Sequence, residues 1–201
     1  MYGIIRGCSI VSVDELFDIR KFDEYREDNR REVKKASENL PTSLWDTYSS
    51  FANCYGGVII LGVKENEDKS WIATGIKDIK KLKKVFWDGV NNRNLCSVNI
   101  LTDDDVAIYK DEKTGNDIMV ITVPPATREQ KPVYVRGDIW NGTYRRNWEG
   151  DYHGTPEEVK TMLRDQPSST MDMKVIENLS VDQLNMNTVR SYRNRHKLMR
   201  P

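Results

Sequence analysis

A chain of 201 residues with 38% hydrophobic and 31% charged residues has enough apolar material for one medium domain and a tail. Its 31 basic and 31 acidic residues cancel, which excludes a nucleic-acid binder acting through overall charge and leaves only local patches. No apolar run approaches the ~18 residues needed to cross a bilayer, and no charged segment leads into a long apolar stretch at the start, so a cytoplasmic protein is expected.

Val13 to Tyr25 carries Leu16, Phe17, Ile19 and Phe22 among charges and predicts a short amphipathic helix. A short strand near Glu32 to Lys35 follows. Pro41 opens a second helix, along which Leu44, Tyr48, Phe51, Ala52 and Tyr55 recur at helical spacing until Gly56-Gly57 stops it. Val58 to Val63, apolar or glycine throughout, predicts a strand covered on both faces. Asp78 to Val90 predicts a helix with Ile79, Leu82, Val85, Phe86 and Val90 inward and a lysine-rich outer face. Strands are expected at Val98–Leu101, Val106–Tyr109 and Ile118–Val123, the last two joined by a polar hairpin loop containing Gly115. Val133–Val135 and Thr143–Arg145 are further short strands. Thr155-Pro156-Glu157-Glu158 starts a last helix, running to about Asp165. From Gln166 the composition turns polar, and five basic residues without an acid fill Arg190 to Pro201. The expected fold is α+β: a mixed sheet with a buried central strand, an antiparallel meander and flanking helices.

The segments "REVKKA", "SSFANCYGGVIILGV", "VITVPPATREQKPVYVRG" and "GTYRRNWEGDYHGTPEEVKTML" occur in that order. Together they resemble the Schlafen AlbA-like domain, also called divergent AAA, over roughly Arg26 to Arg164. Phe51-Ala52-Asn53 with Gly56-Gly57 and Gly62-Val63 is the specific part. Val33 replaces the family's usual Phe, Cys54 its Thr, and Glu65 stands where Asp is common. The tail resembles the segment that follows this domain in bacterial transcriptional-regulator-like members. The implied organisation is a lead-in at 1–25, the AlbA-like domain at 26–166, and from 167 to 201 a linker and the start of a further region.

Residue types suggest where chemistry would lie. In a strand, Glu32 and Lys34 share a face while Val33 points away. Glu65 follows the buried strand, near where α/β sites form. If those strands adjoin, Glu27, Glu32 and Glu65 converge beside Lys34, and Mg²⁺ or Mn²⁺ would neutralise them. The resemblance implies the same acids, since ribonuclease members of the group use carboxylates at these positions.

For binding alone, the candidates are Arg30, Arg31, Lys35, Arg136, Tyr144, Arg145 and Arg146, basic and aromatic residues suited to phosphates and unpaired bases. No GxxxxGK[ST] or GxGxxG segment is present, and Gly56-Gly57 follows a helix rather than preceding one, so an ATP site is not expected. Cys8, Cys54 and Cys96 form no metal-binding spacing and are expected as reduced thiols.

Three functions follow. The first is nucleic-acid binding, DNA or RNA undecided, in a regulator or defence protein. The second is a metal-dependent ribonuclease on the carboxylates. The third is an interaction or dimerisation module, with a homodimer as its simplest form.

Overall fold

The computed structural model describes residues 16–166 and 185–198, with side chains to residue 194 in the second span. The chain divides into two compact units, Met1–Pro167 and Ser168–Pro201. In the second, a helix covers Met186–Leu198, with Arg190 and Arg193 exposed along it.

The first unit is built on a four-stranded mixed sheet. Strand β1 (Arg31–Lys34) leads through helix α1 (Ser43–Asn53) into β2 (Gly57–Leu61), which pairs parallel to β1 with Glu32 opposite Ile59 and Lys34 opposite Leu61. β3 (Val63–Glu65) and β4 (Trp71–Ala73) form a hairpin, and helix α2 (Ile79–Val90) follows. β5 (Val106–Lys110) and β6 (Asp117–Val123) pair antiparallel, and β6 then pairs antiparallel with β2. The order β1-β2-β6-β5 places β2 and β6 in the centre. A separate ribbon, β7 (Tyr144–Asn147) and β8 (Gly150–His153), precedes helix α3 (Pro156–Asp165). This is the α+β arrangement expected, a mixed sheet with flanking helices.

Both sheet faces are covered, and every residue of β2 is buried. One face carries Ile59, Leu61, Met119 and Ile121 under α1 and α2, with Leu44, Tyr48, Phe51, Leu82 and Phe86 packed on them. The other carries Val33, Val58, Ile60, Ile118 and Val120 beneath Phe22, Val63 and Trp71. The alternation of β2 feeds two cores, which explains its unbroken apolar run.

Several elements depart from the sequence reading. The strand expected over Val58–Val63 breaks at Gly62, whose φ of +82° turns the chain from β2 into β3. A side chain there would also meet Ile76 at 2.9 Å. Val98–Leu101 is not a strand because side chains take its backbone groups. Tyr48 Oη donates to Val98 O at 3.1 Å and accepts from Ile100 N at 3.0 Å, and Asn99 accepts from Leu101 N. Val133–Val135 makes only isolated bridges. The helix expected from Val13 to Tyr25 is a 3-10 helix over Ile19–Glu24, capped by Asp18; residues 13–15 lie outside the described residues. β4 and β8, short and flanked by polar turns, were not expected.

Cys54 and Cys96 are free thiols, and Cys8 lies outside the described residues. Burial pushes the Cys96 thiol up to about 11, so it stays protonated and inert near neutrality. Among the described residues, no helix is long and apolar enough to cross a membrane.

Candidate functional site

The polar surface of interest lies where β1, the β3–β4 hairpin and the β7–β8 ribbon meet. Glu27 precedes β1, and its Oε1 accepts from the Val33 amide at 2.9 Å. Burial and the neighbouring Glu32 push its carboxyl up to about 7, with Glu65 adding to the rise while the Val33 amide opposes it. Glu27 thus lies close enough to Glu32 and Glu65 to feel both charges. Glu65 sends one carboxylate oxygen to Lys69 at 3.4 Å, while its Oε1 is buried without a hydrogen-bond partner. Lys69 also reaches Glu149, at 3.7 Å, and so ties the β3–β4 turn to the ribbon tip.

Glu32 is committed elsewhere. Its Oε1 accepts from Lys34 Nζ at 2.9 Å and its Oε2 from Arg146 at 2.9 Å. Arg146 lies over the Phe51 ring at 5.1 Å, its side chain only 3% exposed, and donates also to Asp28 O and Asp151. Asp151 in turn accepts from Ser50 and Thr47 of α1. A buried chain of charge thus runs from α1 through β8 and β7 to β1.

A divalent cation would suit carboxylate oxygens chemically, but these residues do not fit one as arranged. Both Glu32 oxygens are occupied by cations and one Glu27 oxygen by an amide. Among the described residues, no three His, Cys, Asp or Glu side chains form a group able to hold a metal ion.

The basic candidates separate in the fold. Arg146 is internal and cannot face a ligand without breaking its two ion pairs. Arg31 pairs with Asp28 at 2.6 Å and lies over Tyr25, while Arg30 donates to Tyr55 O. Arg136 pairs with Asp46 at 2.6 Å. Lys35 is exposed past the end of β1. The Tyr144 ring packs against His153 at a tilt of 35°, ring centroids 4.5 Å apart.

Arg145 stands opposite Tyr152 across the ribbon, so both lie on the face away from Arg146. Its contact to Glu158, 3.3 Å with both side chains about two-fifths exposed, is a surface pair of little energy. Phe51 and Asn53 are buried and structural, Gly56 ends α1 at φ +71°, and a side chain at Gly57 would collide with Phe51 and the Arg30 carbonyl.

From the sequence, Trp148 is an aromatic beside Arg145 and Arg146 that could stack on unpaired bases, but the hairpin tip that carries it was not expected. Asn147 pairs with Gly150, leaving Trp148 and Glu149 as a two-residue turn. Trp148 adopts φ +56°, a conformation costly for a bulky residue, and is 79% exposed. Tyr152 is 55% exposed on the outer face. A cavity of about 350 Å³ opens beside the tip, lined by Glu27, Asp28, Asn29, Trp148 and Glu149. Period-two reading of "YRRNWEGDY" would have split Arg145 from Arg146 and put Trp148 at the turn.

Glu27 gives a pH test. Its carboxyl titrates near 7 in the folded chain against an ordinary 4.5, so the folded state holds the proton more tightly. That stabilisation is complete below about pH 4.5 and is lost as pH rises through about 7. Glu27→Gln, which keeps an acceptor for Val33 N, is expected to match the parent at pH 4.5. At pH 8 it should unfold about 2–4 °C higher, for ~1 kcal/mol after discounting partial exposure. Thermal melts at both pH values measure it; equal melting temperatures at pH 8 would contradict the assignment.

No curated protein matches the chain. Among solved structures, the N-terminal domain of a RecG-related protein from Nitrosomonas europaea is 21% identical with a TM-score of 0.47, covering 72% of this chain and 94% of that one. The DIP2311 protein from Corynebacterium diphtheriae is 16% identical with a TM-score of 0.40, covering 81% of this chain but 28% of that one. A model described as a domain of unknown function, DUF8451, matches residues 160–201. The family model described as Schlafen, AlbA_2 matches residues 24–153, which is more than half of the chain and spans the sheet, the buried charge chain and the ribbon. The chain belongs to the Schlafen, AlbA_2 family.

Proposed function

We propose that the domain binds single-stranded nucleic acid along the solvent face of the β7–β8 ribbon, with Trp148 and Tyr152 stacking on bases and Arg145 meeting phosphate. The observation that carries this is Trp148, 79% exposed at a hairpin tip and held at φ +56°. An indole left in water in a costly conformation contributes nothing to the core, whereas every unpaired base offers it a flat partner. A stacking surface with few free cations also suits a chain of zero net charge better than a duplex-gripping face would. Membership of the Schlafen, AlbA_2 family supports a nucleic-acid partner and leaves DNA and RNA equal.

Fluorescence anisotropy with labelled single-stranded DNA, single-stranded RNA and duplex DNA across a salt series tests the reading. Single strands are expected to bind more tightly than duplex, and Trp148→Ala to weaken them by about 5- to 100-fold, since one stacked base is worth ~1–3 kcal/mol. Arg145→Ala should flatten the salt dependence by about one phosphate contact. Parallel incubations with Mn²⁺ or EDTA bear on the ribonuclease alternative. Metal-dependent cleavage lost in Glu32→Gln would replace a simple binding domain with that enzyme. Absence of binding to every strand would leave the interaction module as the better account.

A further inference from the structure

We infer that the cavity beside Trp148 is a pocket for one unpaired base of the bound strand and that it selects guanine. The assignment rests on the single-strand binding proposed above and names what that surface prefers. At about 350 Å³ the cavity lies at the low end of small-ligand sites, ~300–1,000 Å³, a size for a base rather than a larger group. The exposed indole of Trp148 forms one wall, a plane on which a base can lie.

The remaining lining decides which base fits. Glu27, Asp28 and Glu149 present carboxylate oxygens and Asn29 an amide, with no cationic side chain among them. Phosphate is repelled from such a lining, so the sugar–phosphate backbone must lie outside and a base edge must point in. An ionised carboxylate only accepts hydrogen bonds, whereas the Glu27 carboxyl, pushed up to about 7, is part-protonated near neutrality. Guanine presents N1–H and the N2 amino group on one edge, two parallel donors that match the two oxygens of a carboxylate. Uracil turns two carbonyl oxygens and a single N–H to the same acceptors. Adenine and cytosine, with one amino group each, fall between.

Asp28 is already engaged, with Oδ1 on the Arg30 amide and Oδ2 on the Arg31 guanidinium, and Glu27 gives one oxygen to Val33 N. Glu149 is the carboxylate best placed for the guanine edge. It is 39% exposed, and its ion pair with Lys69 is long, at 3.7 Å.

The test is the affinity of the chain for uridine-tract RNA carrying one central G, A, C or U, read by anisotropy with Trp148 quenching alongside. Guanine is expected to bind about tenfold or more tightly than uridine, the size of one good paired-donor contact. Glu149→Gln should erase that preference while the all-uridine strand binds as before. Equal affinity for all four strands would overturn the guanine pocket and leave single-strand binding standing. No affinity for any strand would overturn both. A guanine preference that survives Glu149→Gln would overturn the role given to Glu149.

Discussion

Arg146→Met is expected to destabilise the fold by about 3–5 kcal/mol, because it removes the shared cation of a buried network. Glu32 and Asp151, with side chains 16% and 14% exposed, would both lose that partner. Asp28 O would lose a donor as well, and the Phe51 ring the guanidinium above it. Lys34 still pairs with Glu32, and Ser50 and Thr47 still donate to Asp151, which keeps the loss from being larger. Urea unfolding monitored by circular dichroism measures the change. Adding Glu32→Gln and Asp151→Asn to Arg146→Met should recover part of it, because the orphaned charges then disappear. A loss below about 1 kcal/mol would mean that water already shares the network.

Asn53→Ala should cost about 3 kcal/mol. The Asn53 amide donates to Val133 O at 2.8 Å and Tyr144 O at 3.0 Å and accepts from Val133 N at 2.8 Å. It is 5% exposed, so Val133 N and Tyr144 O would lose a buried partner at ~1–3 kcal/mol for each poorly satisfied group, while Val133 O would keep the Ser49 hydroxyl at 2.7 Å. The melting temperature should fall by about 6–12 °C. The ribbon should also loosen from α1, so hydrogen exchange at Val133 and Tyr144 should rise more than at β2. Uniform acceleration across the sheet would contradict that local role.

The same asparagine shows why part of the fold was hidden in the sequence. Helix α1, its Gly-Gly stop and β2 obey local rules of spacing and turn chemistry, so most of Leu44 to Leu61 was legible. Tyr55, expected on the apolar helix face, lies past the helix end and is 71% exposed. Val133–Val135 has strand-like composition, but Val133 N bonds Asn53, a side chain 80 residues away, Tyr134 N bonds the Ser97 hydroxyl, and Val135 N bonds Gly142 O. The Tyr48 side chain likewise bonds Val98 O and Ile100 N. No local pattern carries such partners.

The site divides in the same way. Glu27, Glu32 and Glu65 were picked out by position along the strands and family resemblance, and Glu27 feels the charge of both others. Arg146 was grouped with Arg145 by adjacency, whereas adjacent strand residues point to opposite faces and only Arg145 meets solvent. Asp151, the acid that completes the buried chain, has no signature of its own. Its importance comes from Thr47, Ser50 and Arg146 arriving around it.

Photocrosslinking tests the central claim most directly, since it reports where a strand lies on the protein. The chain would be irradiated with a short RNA carrying 4-thiouridine and a matched DNA carrying 4-thiothymidine, then digested and read by mass spectrometry. Crosslinks are expected to concentrate in the peptide spanning Tyr144 to His153, at Trp148 and Tyr152, and to be lost when excess unlabelled strand competes. Crosslinks confined to α2 or to the Met186–Leu198 helix, with the ribbon unmodified, would contradict that claim.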